Sequence, residues 1–387
     1  MEPQTHALAP ERPLERGEES ASGPDVPGGP AGLPPHTHDF SGLFVGDDGL
    51  RCGWSALLFV AFYYVLLFML DLVALSVDPH LAENSSSPIQ ILIIELIPFT
   101  AILVAGSVMA RVEHRRLVDY NLVDARRARH FVSGLLTGFA ALSVLIAALA
   151  LGGWLRFGHT AIQGPAAATY AVLWACAFLL VGLFEEGTFR CYLLLTLTRG
   201  INFWWSLATV GTLCLLLLAS RDPQGSNGVF LMAALGILPC WLVHRARLAG
   251  SSFWQATWAT STAFGFFHTN NGGENAVGIF AAGLVGFVFC VSVRLTGSAW
   301  WAIGCHMAWD WAETYFYGTP DSGLQTDHHF LTTIPVGKAF WSGGSDGPEG
   351  SLLVVPVILL LLTVLVFVYG NRPVAHTLPI GKQSPPR

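Results

Sequence analysis

Residues 173–198 read LWACAFLLVGLFEEGTFRCYLLLTLT, an apolar stretch interrupted by three charged side chains. A helix needs about 20 apolar residues to cross the hydrocarbon layer of a membrane, and this stretch is long enough. Charge inside such a span is costly, so Glu185, Glu186 and Arg190 must face protein or water. The stretch therefore predicts a membrane helix that contributes to a buried polar site.

The composition of the whole chain is that of a membrane protein. Of its 387 residues, 52% are hydrophobic and only 12% are charged, whereas soluble domains carry about a quarter charged residues. The formal net charge is −6, and no cluster of Lys and Arg is interleaved with aromatic residues. These features argue against nucleic acid as a partner. They predict an all-α, polytopic bundle of transmembrane helices in a lipid bilayer.

Ten segments are apolar enough to be membrane spans, although two are short, so eight or nine spans remain an alternative. The segments are 54–76, 88–110, 131–153, 167–198, 202–219, 228–243, 254–268, 276–294, 298–317 and 351–370. Arg and Lys concentrate on alternate connections, of which 111–129 is the richest, and basic residues favour cytoplasmic loops. The alternation predicts ten spans with both termini in the cytoplasm.

The domain organisation follows from these segments. Residues 1–50 are rich in Pro, Gly, Glu and Ser and predict a disordered cytoplasmic tail. Residues 51–164 hold N-terminal transmembrane helices, and 165–325 form a core that carries most intramembrane charges. A polar loop at 326–350 precedes the last region, 351–387, which is a final transmembrane helix with a short cytoplasmic tail.

Helical spacing separates the three charges of the opening stretch. Glu186 and Arg190 are four residues apart and can form an ion pair on one helix face. Glu185 lies about 100° around the helix and has no such neighbour. An unpaired carboxylate in a low-dielectric site tends to take up a proton, as a general base does. The alternative is a neutralised triad that holds helices together.

Two later segments add polar faces at the same spacing. FGFFH (264–268) places Phe264 and His268 on one face, and HMAWD (306–310) does the same for His306 and Asp310. Taken alone, His268 could be a helix cap, and His306 could be a structural partner of Asp310. A polar face inside the bilayer nevertheless needs a polar partner, so we expect these three helices to contact one another.

In this order the three motifs resemble those of the CPBP family, the CAAX prenyl proteases and bacteriocin-processing enzymes also called the Abi family. The motifs are EEGTFR (185–190), FGFFH and HMAWD, and the resemblance covers roughly residues 165–325. The flanks TGSAWWAIGCHMAWDW and FYGTPDSG look like the bacterial branch, which implies a bacterial inner membrane. Two features depart from the family: Asp310 replaces the usual Asn, and two extra spans separate the first motif from the second.

The resemblance implies an intramembrane endopeptidase that cleaves a membrane-associated peptide or protein. On the family pattern, Glu185 and His268 activate a water molecule, while His306 and Asp310 hold the oxyanion. Asp310 must be protonated to donate a hydrogen bond there. Supporting roles fall to Glu186 and Arg190, which orient Glu185, and to Phe264, which packs beside His268 and excludes water.

The resemblance favours a metal-free, glutamate-type protease, since no HExxH motif is present. A zinc-dependent version remains an alternative, because Glu185, His268, His306 and Asp310 would form a reasonable Zn²⁺ ligand set. A non-enzymatic transporter is a second alternative, although the sequence contains no visible inverted repeat. An inactive relative that binds a partner is a third. The substrate, the oligomeric state and the roles of Asp71, Glu95 and Glu313 are left open.

Overall fold

The structure, a computed structural model, describes residues 44–46, 49–81, 87–219 and 225–371. The predicted disordered tail, residues 1–50, lies almost entirely outside these ranges, as does the predicted tail after residue 371. At the described end of the first tail, β1 (Val45–Gly46) and β2 (Gly49–Leu50) pair antiparallel. From there on the fold is helical, which confirms the predicted all-α class.

Helices occupy all ten predicted segments. Within the described residues they are α1 (Cys52–Val77), α2 (Pro88–Val112), α3 (Arg127–Leu151), α4 (Pro165–Thr198), α5 (Phe203–Ala219), α6 (225–245), α7 (Ser251–His268), α8 (Ala276–Thr296), α9 (300–317) and α10 (Val354–Tyr369). Two 3₁₀ turns and one short helical turn complete them: Leu117–Asp119, Pro348–Gly350 and Ala339–Ser342. In these ranges six helices are long and apolar enough to cross a membrane, namely α1 to α4, α6 and α8.

The outer surface of the bundle is apolar. In α1 only Ser55, Phe59 and Tyr63 are buried, although the helix is one of the most hydrophobic in the chain. Its exposed side chains include Leu57 and Phe68, at 56% and 60% exposure. An apolar face of this kind would be unfavourable in water and is suited to lipid.

Three helices contain a wider, π-helical turn. These turns are Gly187–Leu193 in α4, Ala233–Ile237 in α6 and Trp311–Tyr317 in α9. Turns of this type are rare and are frequently found at functional sites. The first begins directly after Glu186, and the third directly after Asp310. Two of the three predicted motifs therefore lie where the helix changes its pitch.

Close packing of α3 against α9 fixes the third motif. The two helices approach so closely that a Cβ atom added at Gly138 would overlap the carbonyl oxygen of Cys305. The same holds for Gly134 against Trp301 and for Gly304 against Phe131. Since Cys305 directly precedes His306, these glycines set the position of the motif.

A polar network holds the chain at the end of α2. Glu113 accepts hydrogen bonds from Tyr120, Tyr192 and Arg199 at 3.0–3.1 Å. Tyr192 and Arg199 lie in α4 and just after it, so Glu113 ties the end of α2 to the second half of α4. The network accounts for this buried carboxylate without a catalytic role.

Two connections on one face of the bundle pair as a small sheet. β3 (Leu155–Thr160) follows α3, and β4 (Leu331–Pro335) follows α9. They pair antiparallel, with Arg156 opposite Ile334. Both connections therefore lie on the same side, in agreement with the predicted alternation of spans.

Candidate active site

Side chains from all three motifs line one cavity of about 650 Å³. The lining includes Glu185 of α4, Phe264 and His268 of α7, and His306 and Asp310 of α9. Glu186 and Arg190 are fully buried. Tertiary packing thus gathers five of the seven predicted site residues around one space and buries the other two.

His306 is the centre of the polar contacts. Its Nδ1 lies 2.9 Å from Oε1 of Glu186. Its Nε2 lies 3.5 Å from Oδ2 of Asp310 and 3.6 Å from Oε2 of Glu185. The first distance is that of a hydrogen bond, whereas the other two are longer than a good hydrogen bond. His306 therefore faces three carboxyl groups, two of them on α4.

Arg190 neutralises Glu186 from the same helix. The ion pair expected from their spacing is present, with Nη1 of Arg190 3.2 Å from Oε1 of Glu186. The guanidinium also lies over the rings of Phe264 and Phe289, 4.3 and 5.3 Å from their centroids. Aromatic faces attract a cation most strongly where water is excluded. This packing compensates in part for Nε and Nη2, which have no hydrogen-bond partner among the described residues.

His268 is held by its own helix. Its Nδ1 lies 2.9 Å from the carbonyl oxygen of Phe264, and its ring centre lies 4.7 Å from that of Phe264. Because a carbonyl oxygen only accepts, Nδ1 carries the proton in this bond, and Nε2 of the neutral ring keeps its lone pair. Among the described ion pairs within 4 Å, none joins His268 to a carboxylate.

The side chain of Glu185 is partly exposed, although its Oε2 atom is buried. Its side chain is 22% exposed, and its Oε2 has no hydrogen-bond partner within the described part of the chain. Glu186, by contrast, is fully buried and bound by two cationic or polar groups. The neighbouring carboxylates therefore occupy different environments, as the sequence predicts. Glu185 is the one that a water molecule in the cavity can reach.

The connection between α9 and α10 closes one end of the cavity. Asp321, Ser322, Leu324 and Glu349 all line it. Burial and the nearby Glu349 raise the pKa of Asp321 to about 7, and a hydrogen bond from Thr314 opposes the shift. A carboxyl group is easier to protonate when its charged form is desolvated.

Two further loop carboxyls have shifted pKa values for the same reason. Burial raises the pKa of Asp346 to about 8, against the effect of the Asn275 N–H, which donates to its Oδ2 at 2.9 Å. Burial and the charge of Asp346 raise the pKa of Glu274 to about 10. The loop region that contains these carboxyl groups is thus acidic and poorly solvated.

A comparison with protein families bears on this arrangement. Residues 166–253 and 246–312 match the family model described as type II CAAX prenyl endopeptidase Rce1-like. The two matched ranges together span residues 166–312, which is less than half of the chain. The matched residues hold all three motifs, from Glu185 to Asp310. Searches of curated proteins and of solved structures gave no match.

The similarity to this family supports the general class predicted from the motifs. The family is described as a prenyl endopeptidase, so the similarity supports a hydrolase with a peptide or protein substrate in a membrane protein. The bacterial branch is not distinguished by the match and stays a prediction.

The sequence predicts no role for several acidic residues in or near the membrane helices. Glu95 of α2 lines the same cavity, whereas Asp71 is exposed on α1 and is not part of the lining. Glu313, noted from its position after Asp310, lies beside Asp321 and Glu349 of the following loop. The sequence could not predict that Asp321 and Glu349 meet, because they are 28 positions apart.

Proposed function

We propose that the chain is an intramembrane endopeptidase that hydrolyses a peptide bond in a membrane-associated substrate. The observation that carries the proposal is the position of Glu185: its partly exposed side chain lines the cavity, and its Oε2 lies 3.6 Å from Nε2 of His306. The Rce1-like family supports the reaction class. The proposed core is residues 165–325, preceded by the N-terminal transmembrane helices of 51–164 and followed by a final transmembrane helix in 351–387.

In the proposed mechanism, Glu185 and His268 activate a water molecule. The acceptors available for its protons are the carboxylate of Glu185 and Nε2 of His268, both on residues that line the cavity. A general base in this position contributes about 100- to 10,000-fold to a hydrolysis rate. Phe264 orients His268 through its carbonyl oxygen and shields the pair from bulk water.

The oxygen of the tetrahedral intermediate would be held by His306 and Asp310. The Glu186 carboxylate accepts a hydrogen bond from Nδ1 of His306, so Nε2 can also donate into the cavity only when His306 is the charged imidazolium. Asp310 can donate only as the neutral acid, and His306 beside it would then be the charged partner. Donors preset in this way stabilise charge that develops in the transition state. Glu186 and Arg190 act behind them as positioning residues.

The zinc-dependent version of the mechanism uses the same four side chains. His268 Nε2 and His306 Nε2 are nitrogen donors of the kind that Zn²⁺ prefers, and Glu185 and Asp310 supply oxygen. A bound Zn²⁺ would polarise the scissile carbonyl and acidify water. We favour the metal-free version because the sequence has no HExxH motif and because these four side chains, all within the described residues, do not converge as a metal-ligand cluster.

The proposed setting is a bacterial inner membrane with both termini in the cytoplasm. On that topology the connections after α3, α7 and α9 lie on the outer face, which is also the face of the β3–β4 sheet. A substrate would reach the cavity from that face or from the bilayer. Prenylated C-terminal peptides and leader peptides are the two substrate classes that the family names suggest.

The decisive experiment compares wild type with Glu185→Gln in lipid nanodiscs. A farnesylated peptide ending in a CAAX sequence and an unprenylated leader peptide serve as probes, and cleavage is followed by mass spectrometry. We expect wild type to cleave one of them and Glu185→Gln to be slower by about 100-fold or more. Asp71→Asn, which removes a carboxylate outside the cavity, should leave the rate unchanged.

Two outcomes would count against the proposal. Turnover that persists in Glu185→Gln would remove Glu185 from the mechanism. If wild type cleaves neither probe, peptidomes of cells that carry wild type or Glu185→Gln provide the broader test. Identical peptidomes would leave the transporter or the inactive binder as the better description.

A further inference from the structure

Three carboxylates converge beside the cavity, outside the residues that the proposed mechanism uses. They belong to Glu313 in α9, Asp321 in the loop after it, and Glu349 in the 3₁₀ turn Pro348–Gly350. One oxygen atom from each lies within 4.8 Å of the other two. Three like charges at this distance repel strongly in a poorly solvated site.

Glu313 has no partner that explains its burial. Its side chain is 0% exposed, and neither carboxylate oxygen has a hydrogen-bond partner among the described residues. Within the described chain, no Arg, Lys or His forms an ion pair with Glu313, Asp321 or Glu349. A buried, unpaired carboxylate is costly by several kcal/mol. A cation placed among the three groups would remove that cost.

The two loop carboxylates are oriented by neutral donors. Trp309 Nε1 donates to Oε1 of Glu349 at 2.7 Å, and Ser322 donates to its Oε2 at 3.0 Å. Thr314 donates to Oδ2 of Asp321 at 2.9 Å. Outer-shell donors of this type hold the carboxylates of metal sites in place. Each oxygen keeps further lone pairs for a ligand.

We propose that Glu313, Asp321 and Glu349 bind a calcium ion. The ligand set is all oxygen, which suits a hard cation and not Zn²⁺. Two of the ligands lie on a loop, where irregular geometry and variable distances suit Ca²⁺ better than the strict octahedron of Mg²⁺. Because Asp321 and Glu349 also line the cavity, the ion would fasten the loop to α9 and complete the cavity wall.

The proposal is independent of the proteolytic mechanism, because it concerns binding. It also differs from the zinc alternative in its residues: that alternative needs Glu185 and Asp310, whereas the calcium site needs Glu313. The variants Glu313→Gln and Glu185→Gln therefore separate the two sites.

The test uses Tb³⁺ as a luminescent substitute for Ca²⁺ on the full chain, stripped of metals, in nanodiscs. Trp309 contacts Glu349 directly, so excitation of tryptophan should sensitise a bound Tb³⁺. We expect one Ca²⁺-displaceable site per chain and an affinity at least about 10-fold lower in Glu313→Gln. Trp309→Phe should weaken the sensitised signal, and Glu185→Gln and Asp71→Asn should bind normally.

Thermal unfolding provides the second readout. A ligand that binds only the folded state raises Tm with its concentration. Ca²⁺ should therefore raise the Tm of wild type and leave that of Glu313→Gln unchanged. If Glu313→Gln does not fold, Asp321→Asn, which alters a half-buried loop residue, gives the same comparison. The proposal is wrong if wild type shows no saturable Ca²⁺ site, if Glu313→Gln and Asp321→Asn still bind, or if only Glu185→Gln loses binding.

Discussion

Nδ1 of His306 lies 2.9 Å from Oε1 of Glu186, and the same oxygen accepts from Arg190 at 3.2 Å. One atom thus joins the first and third motifs, which are 120 residues apart in the chain. The family resemblance implies that Glu186 and Arg190 orient Glu185. The geometry adds a direct contact to His306, so Glu186 orients that ring and favours its charged form.

Glu186→Gln should lower kcat by about 10- to 100-fold with little change in KM, because misplacement of a catalytic group by about 1 Å has an effect of that size. A glutamine retains one acceptor oxygen, but its neutral amide binds Arg190 and His306 more weakly than the carboxylate does. Peptide cleavage in nanodiscs would give kcat and KM separately. Asp71→Asn is the control, and an unchanged kcat in Glu186→Gln would contradict the assignment.

Gly138→Ala should reduce both stability and activity. Its methyl group would overlap the carbonyl oxygen of Cys305 and push α9, with His306, away from α3. Overpacking of a tight interface costs about 1–3 kcal/mol. Gly211→Ala is a matched control, because a Cβ atom at Gly211 has no heavy atom within 4 Å.

Thermal unfolding and initial cleavage rates of the two glycine variants would test this reasoning. Gly211→Ala should match or exceed wild type, since alanine favours a helix. If Gly138→Ala behaves like Gly211→Ala, the contact between α3 and α9 does not limit the position of His306.

The stability of the region around Asp346 should fall as the pH rises, because ionisation of this buried carboxyl group is unfavourable. Its folded pKa is about 8, above its ordinary value of 3.8, so its contribution to stability is complete below pH 4 and is lost as the pH rises through 8. Hydrogen exchange of residues 275–278 and 343–351 in EDTA, corrected for intrinsic rates, should therefore be faster at pH 8 than at pH 5.

Asp346→Asn should reduce this pH response, because the amide stays neutral. Part of the response should remain, since the raised pKa values of Glu274 and Asp321 act in the same direction. An identical response in wild type and Asp346→Asn would show that Asp346 is not protonated in the folded state.

Proteolysis should survive removal of zinc. Dialysis against 1,10-phenanthroline extracts Zn²⁺ but leaves Ca²⁺ bound, so it separates a catalytic metal from the proposed calcium site. We expect the cleavage rate to stay within about twofold of the untreated enzyme, since the mechanism assigns every proton and charge to side chains. Loss of activity that returns with added Zn²⁺, together with stoichiometric zinc by mass spectrometry, would establish the zinc-dependent version.

Local sequence determined where the helices of this protein lie and which polar residues of each motif share a helix face. Hydrophobicity over some twenty residues is a local property, so all ten segments could be located from it. Spacing of four residues likewise predicts the ion pair of Glu186 and Arg190, since both lie on one helix face. Local hydrophobicity could not predict the pairing of β1 with β2 at the end of a polar tail, because strand pairing depends on contacts between segments.

Only the tertiary structure decided which polar groups meet across the bundle. Glu186 contacts His306 because glycines let α3 and α9 pack closely and hold the third motif against α4. Glu313, Asp321 and Glu349 converge because a loop folds back onto the end of α9. Such contacts depend on backbone separations between distant segments, about which helical periodicity carries no information.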